Sequence, residues 1–154
     1  MKIINNPLSI RIENLGDKIN TIYPEYSPVL TLDMKTLYFT SRREGSTGNK
    51  KDYKGQYYED VYYTTLENGE WSEAKHVGGK INTVGHEATI SISPDGKTLF
   101  LYKDDKGDGN IYTSELKGDE WSKPEKLPST INSEYWETHA CLSPDENTLY
   151  FVSD

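Results

Sequence analysis

Three copies of one pattern constrain this chain more than any other feature. Ile-Asn occurs at Ile19-Asn20, Ile81-Asn82 and Ile131-Asn132; a glutamate follows each Asn by five residues (Glu25, Glu87, Glu137) and an aspartate by thirteen (Asp33, Asp95, Asp145). The aspartates lie in similar runs: TLDMKTLYF from Thr31, SPDGKTLFL from Ser93 and SPDENTLYF from Ser143. They are separated by 62 and then 50 residues, and the extra 12 map to one place, since Phe39 to Val61 takes 22 residues where Leu101 to Ile111 takes 10. The unit is therefore about 50 residues with one insertion, a period that suits a four-stranded propeller blade better than paired helices.

Local chemistry agrees. Between Glu87 and Ser93, Ala88, Ile90 and Ile92 alternate with Thr89, Ser91 and Ser93, the period of two of a half-buried strand. Pro94-Asp95-Gly96 supplies a turn; Thr98–Tyr102 is a second strand, Asn110–Leu116 a third, and a fourth begins at Trp121 and ends near Leu127. Asn68-Gly69 before Trp71 is a hairpin signal in the first copy. Apolar residues are only 34% of the 154, but 12 Tyr, 3 Trp and 3 Phe supply the broad rings that cover pleated sheets. No window has helical periodicity. The expected fold is all-β, a propeller segment of antiparallel four-stranded blades: a lone fourth strand over 7–20, blade one over 21–80, blade two over 81–130, and the first half of blade three over 131–154. About two and a half blades, where propellers have typically four to eight, point to a piece of a longer ring.

Seventeen Lys and Arg against 25 Asp and Glu leave a net charge of −8, which argues against nucleic acid and anionic membrane as partners. One cysteine excludes an internal disulfide, no apolar run is long enough to span a bilayer as a helix, and the first residues carry no secretory signal pattern.

Ile-Asn, then Glu, then Ser-Pro-Asp-Gly-Lys-Thr-Leu-Phe, then Asn-Ile-Tyr, then Gly-x-x-Trp-Ser-x-Pro resembles the WD-like repeat of TolB-type β-propellers over residues 9 to 154. Tyr26-Ser-Pro-Val, Phe39-Thr-Ser-Arg-Arg43, Tyr57-Tyr-Glu-Asp-Val61 and the segment from Tyr102 to Tyr112 resemble the propeller module of OmpA-family envelope proteins, some of them in the type IX secretion and gliding apparatus. The resemblance implies a non-catalytic module of a periplasmic or outer-membrane-associated parent protein. Its partners would be other envelope proteins or the remaining blades and domains of that parent. Leu32-Asp33-Met34 and Glu146 depart from the Pro-Asp-Gly turn.

Three groups of residues are candidates for binding. Glu25, Glu87 and Glu137, with His86 and Trp136, fall where first strands begin and would ring a channel mouth, as cation- or peptide-binding carboxylates or as acceptors for loop N–H groups. The insertion carries Arg42, Arg43, Lys50, Lys51, Lys54, Tyr53, Tyr57 and Tyr58, types favoured at interfaces, or else it is a solvated excursion. Asp104, Asp108 and Glu115 follow part of a calcium-loop order, although Lys106 stands where a ligand is needed. No other cofactor is expected. Trp71 and Trp121 read as core, and Cys141 as a buried, inert strand thiol.

No nucleophile motif is present, and His76, His86 and His139 lack metal-ligand spacing. His86 beside Glu87, or His139 near Glu137, would be the acid/base pair of an enzyme. The expectation is a non-catalytic interaction or scaffold module; the alternative is a carbohydrate-binding or glycoside-hydrolysing propeller, gripping sugar with Trp136, Tyr26 and the glutamates.

Overall fold

The structure is a computed structural model and describes residues 10–105 and 107–154, without the side chain of Asp105. It is all-β with one short 3-10 turn, Thr47–Asn49. Blade one is β1 (Glu25–Leu30), β2 (Thr36–Ser41) and β3 (Asp60–Glu67), with β4 (Glu70–Trp71) and β5 (Lys75–His76) both pairing β3. Blade two repeats it: β6 (Glu87–Ile92), β7 (Thr98–Asp105), β8 (Asp108–Lys117), then β9 (Glu120–Trp121) and β10 (Glu125–Lys126) on β8. β11 (Glu137–Leu142) and β12 (Leu149–Ser153) pair as a third sheet, and all pairings are antiparallel.

Alternation along the strands stacks the sheets. In β2, Leu37 and Phe39 face a cluster with Ile19 and Tyr62, while Tyr38 faces the opposite side, where Val29, Val61, Ile81, Leu99, Leu101 and Trp121 close the layer between blades one and two. In β7, Leu99 and Leu101 face that layer and Phe100 faces the next, with Ile111 and Ala140. Tyr38 meets Trp121 edge to face at 5.8 Å between centroids. Each sheet thus hides its faces only against its neighbours, and a fully buried leucine such as Leu99 contributes about 1.5–3 kcal/mol. Polar bonds also cross the blade boundaries: Thr89 N–H donates to Thr40 Oγ1 at 2.9 Å, and Ser91 Oγ donates to the Ala140 carbonyl at 2.6 Å.

The repeated asparagines fasten one blade to the next. Asn82 holds both the N–H and the C=O of Val61, and Asn132 holds those of Ile111. Asn20 instead meets Asn14. The turns repeat as well: Ser93 Oγ donates to Asp95 Oδ1 at 2.6 Å, and that oxygen accepts the Lys97 N–H at 2.9 Å. Gly96 has φ 75°, and Met34 and Glu146 adopt the same left-handed backbone at 57° and 58°.

Three expectations are corrected. Residues 10–20 form no strand, because the segment aligned with 121–132 meets no third strand to pair with among the described residues. The fourth strand is two two-residue pieces, since Ser72 and Ser122 turn their hydroxyls back onto the third strand and Pro124 carries no N–H to continue the ladder in blade two. Cys141 is exposed, on the β11–β12 sheet beside exposed Tyr150 and Val152. The core reading of Trp121 agrees with its burial, and half-buried Trp71 packs against the Ile19 cluster.

Candidate functional site

The first strands β1, β6 and β11 lie side by side, which gathers Glu25, Glu87 and Glu137 at one end of the sheets. Their carboxylates are occupied. Each accepts from the residue four before it, through both N–H and hydroxyl: Thr21, Thr83 and Ser133. A third partner comes from the end of the second strand, Ser41 for Glu25, Lys103 for Glu87 at 2.9 Å, and Ser153 for Glu137. Glu87 and Glu137 are almost wholly buried. Burial pushes the Glu137 carboxyl up, but the Ser133 and Ser153 hydroxyls and the Ser133 N–H outweigh it and hold it below the ordinary range. The glutamates brace the turns into their own blades; they do not form an open ring of ligands.

The insertion is not a loose excursion. Its Thr47 N–H and hydroxyl both donate to Asp60 Oδ2, at 2.7 and 2.9 Å. Arg42 donates to the Tyr57 carbonyl, Gln56 and Asp52, while Tyr57 is buried edge-on to Tyr23. Arg43 reaches the Ile19 carbonyl and Glu25, with its guanidinium over the rings of Tyr62 and Phe39. Arg42, Arg43 and Tyr57, expected as binding residues, are therefore bracing residues first. Lys51 lies over the Tyr57 ring at 4.2 Å, while Lys50 and Tyr53 face solvent.

Folding the insertion back delivers Glu59, which sequence reasoning missed, to the centre of a cluster. Glu59 accepts from the Tyr26 hydroxyl at 3.0 Å and from His86 Nδ1 at 2.5 Å, and Arg42 Nη2 lies at 3.5 Å; since a carboxylate only accepts, Nδ1 carries the proton. Burial raises the Glu59 carboxyl, but the His86 bond and the His86 and Arg42 charges leave it below its usual range. Burial and Glu59 drive the Tyr26 phenol well upward, so it stays a neutral donor. The His86 ring stacks on Tyr58 at 3.9 Å. The one sequence signal for Glu59 is that the equivalent residue of the second copy is Gly109.

At the next junction Tyr102 faces Trp136, with centroids at 6.3 Å and planes at 32°. The Tyr102 ring lies across Gly109, where an added Cβ would stand 2.4 Å from Cε2. Trp136 is 45% exposed. Burial, then Asp104, Glu59 and Asp108, push the Tyr102 phenol up to about 12.

The calcium expectation does not hold. β7 and β8 pair down to Asp104↔Gly109 and Asp105↔Asp108, so the segment is a tight hairpin, and Asp104 Oδ1 is used by the Gly107 N–H. Glu115 pairs with Thr98, seven residues along the strand and so roughly 24 Å from Asp108. Lys106 lies outside the described residues. No metal-ligand cluster of three occurs among the described residues. The acid/base pairings are corrected too: His86 bonds Glu59 rather than Glu87, and His139 bonds Thr138. Among the described residues no helix is long and apolar enough to cross a membrane.

Stacked antiparallel sheets joined in this way are those of a β-propeller segment. The crystal structure of TolB from Acinetobacter baumannii matches it with a TM-score of 0.52 and 16% identity, over 80% of this chain and 25% of that one. The chain thus spans a quarter of TolB's length, and the likeness shows a TolB-like fold. No protein-family model and no curated protein matches the chain.

Proposed function

We infer that the chain is a non-catalytic protein-interaction module of a bacterial envelope protein, binding through the face where the first strands begin. The observation that carries this reading is the band of partly exposed rings there, Tyr26, Tyr58, His86, Tyr102 and Trp136, set on a rigid scaffold; such rings add contact area at low entropic cost. The TolB-like fold is compatible with a periplasmic place. Sequence resemblance favours, within that class, an OmpA-family or type IX-related parent, with other envelope proteins or the parent's remaining blades as partners. The carboxylates expected for acid/base work are engaged in structural bonds, which favours binding over catalysis.

Photo-crosslinking from positions 136 and 53 in an envelope preparation tests the reading. The expected result is a discrete protein adduct from position 136, reduced by Tyr102→Ala. Binding on a glycan array that Trp136→Ala abolishes, without any protein adduct, would overturn it in favour of the carbohydrate-binding alternative.

A further inference from the structure

Two equivalent junctions on this face differ in a way that identifies an occupant. At the first, the position before the motif glutamate is His86, the residue after the second strand is Arg42, and the residue before the third strand is Glu59. The chain fills this junction itself: the Arg42 guanidinium lies 3.5 Å from Glu59, the same carboxylate that accepts from His86, whose ring stacks on Tyr58. At the second junction the corresponding residues are Trp136, Asp104 and Gly109. Trp136 again has a ring beside it, but from another position: Tyr102, the counterpart of Thr40, is tilted to it with centroids 6.3 Å apart. Gly109 gives the Tyr102 ring its bed, and the arginine is replaced by a carboxylate. Of the nearby described cations, Lys103 is committed to Glu87 and Lys126 acts on the Glu137 carboxylate.

The geometry points to the Tyr102–Trp136 platform, with Asp104 and Asp108 beside it, as the receptor for an arginine side chain in a basic segment of the partner protein. An indole is the best ring for holding a guanidinium, and flanking carboxylates supply the complementary charge. Arg42 shows within this chain what the first junction accommodates. The overall charge of −8 speeds the approach of a basic segment. This inference rests on the protein-interaction reading and names its partner chemistry.

The test is an NMR titration of the whole chain, reading the Trp136 indole N–H, with acetyl-Gly-Arg-Gly-amide and its isosteric, uncharged citrulline counterpart. The arginine peptide is expected to shift the Trp136 signal and the citrulline peptide to bind about tenfold more weakly. Trp136→Ala (read at the Gly109 amide) and Asp104→Asn/Asp108→Asn should each weaken arginine binding by a similar factor, and Gly109→Ala, which displaces the Tyr102 ring, should do so with both platform residues present. Tyr53→Ala should change nothing. Dispersed spectra of each variant show that it is folded, and both Trp136 and Asp104 are exposed. The inference is overturned by absence of arginine binding, by equal binding of citrulline, or by binding indifferent to Trp136 and the two aspartates. A protein adduct from position 136 alongside any of those results would sink this inference alone and leave the interaction reading standing.

Discussion

Asn82 pairs with Val61 as a neighbouring strand would, accepting its N–H and donating to its C=O, both at 2.9 Å. Asn132 repeats this with Ile111 at 2.8 and 2.9 Å. In Asn82→Ala the Val61 carbonyl keeps the Val77 N–H, but the Val61 N–H loses the amide oxygen inside a fully buried layer. A loss of about 1–3 kcal/mol is expected, read as a lower denaturant midpoint. Asn82→Asp should not rescue it, since a second carboxylate oxygen would face the Val61 carbonyl.

Acid should unfold the chain through carboxylates held below their ordinary pKa. For Glu137, with an ordinary value of 4.5, and for Asp33, Asp95 and Asp145, at 3.8, the folded state favours the charged form. Their contribution is complete above those values and is lost as pH falls through the lowered folded ones. Melting temperature measured from about pH 6 to about pH 2.5 should therefore drop most steeply below about pH 4. Glu137→Gln should be less stable at neutral pH and show a shallower acid limb.

The turn after β1 offers a stabilising change. Met34 holds φ 57° where Gly96 holds 75°, and a side chain in that region costs roughly 1–2 kcal/mol. Met34→Gly is expected to gain about 0.5–1 kcal/mol, the remainder going to the greater freedom of glycine in the unfolded chain. Met34 is exposed, so little packing is lost. Gly96→Ala should move the melting temperature the other way.

Most of the fold was legible because its determinants recur. Leu37, Leu99 and Leu149 hold one register of the repeat, and all three face the layer before their own blade. Repetition also marked Glu25, Glu87 and Glu137 as important, but it could not separate a ligand from a brace, which only their partners at Thr21, Thr83 and Ser133 decide. Glu59 escaped because its counterpart in the second copy is Gly109, so the repeat gives that position no shared side chain to mark it. Its contact with His86, 27 residues away, depends on how Asp60 and Arg42 fold that segment back. The calcium pattern misled because Asp and Gly serve a tight hairpin equally well.

Lys103 stands where the other two copies have Ser41 and Ser153, and it gives Glu87 a charged partner at 2.9 Å in place of a hydroxyl. Lys103 is 16% and Glu87 1% exposed at the side chain, so removing the ammonium strands a desolvated carboxylate. Breaking a buried pair from one side costs about 3–5 kcal/mol; Glu87 retains the Thr83 N–H and hydroxyl, which places Lys103→Ala at the low end, about 3 kcal/mol. Lys103→Ser restores the hydroxyl that the other copies use and should recover most of that loss, while a pure packing role for the lysine stem would leave Ser no better than Ala. Lys103→Ala combined with Glu87→Gln should also be milder than Lys103→Ala alone, because the stranded charge is gone. Equilibrium unfolding of the four proteins at neutral pH decides between the two accounts.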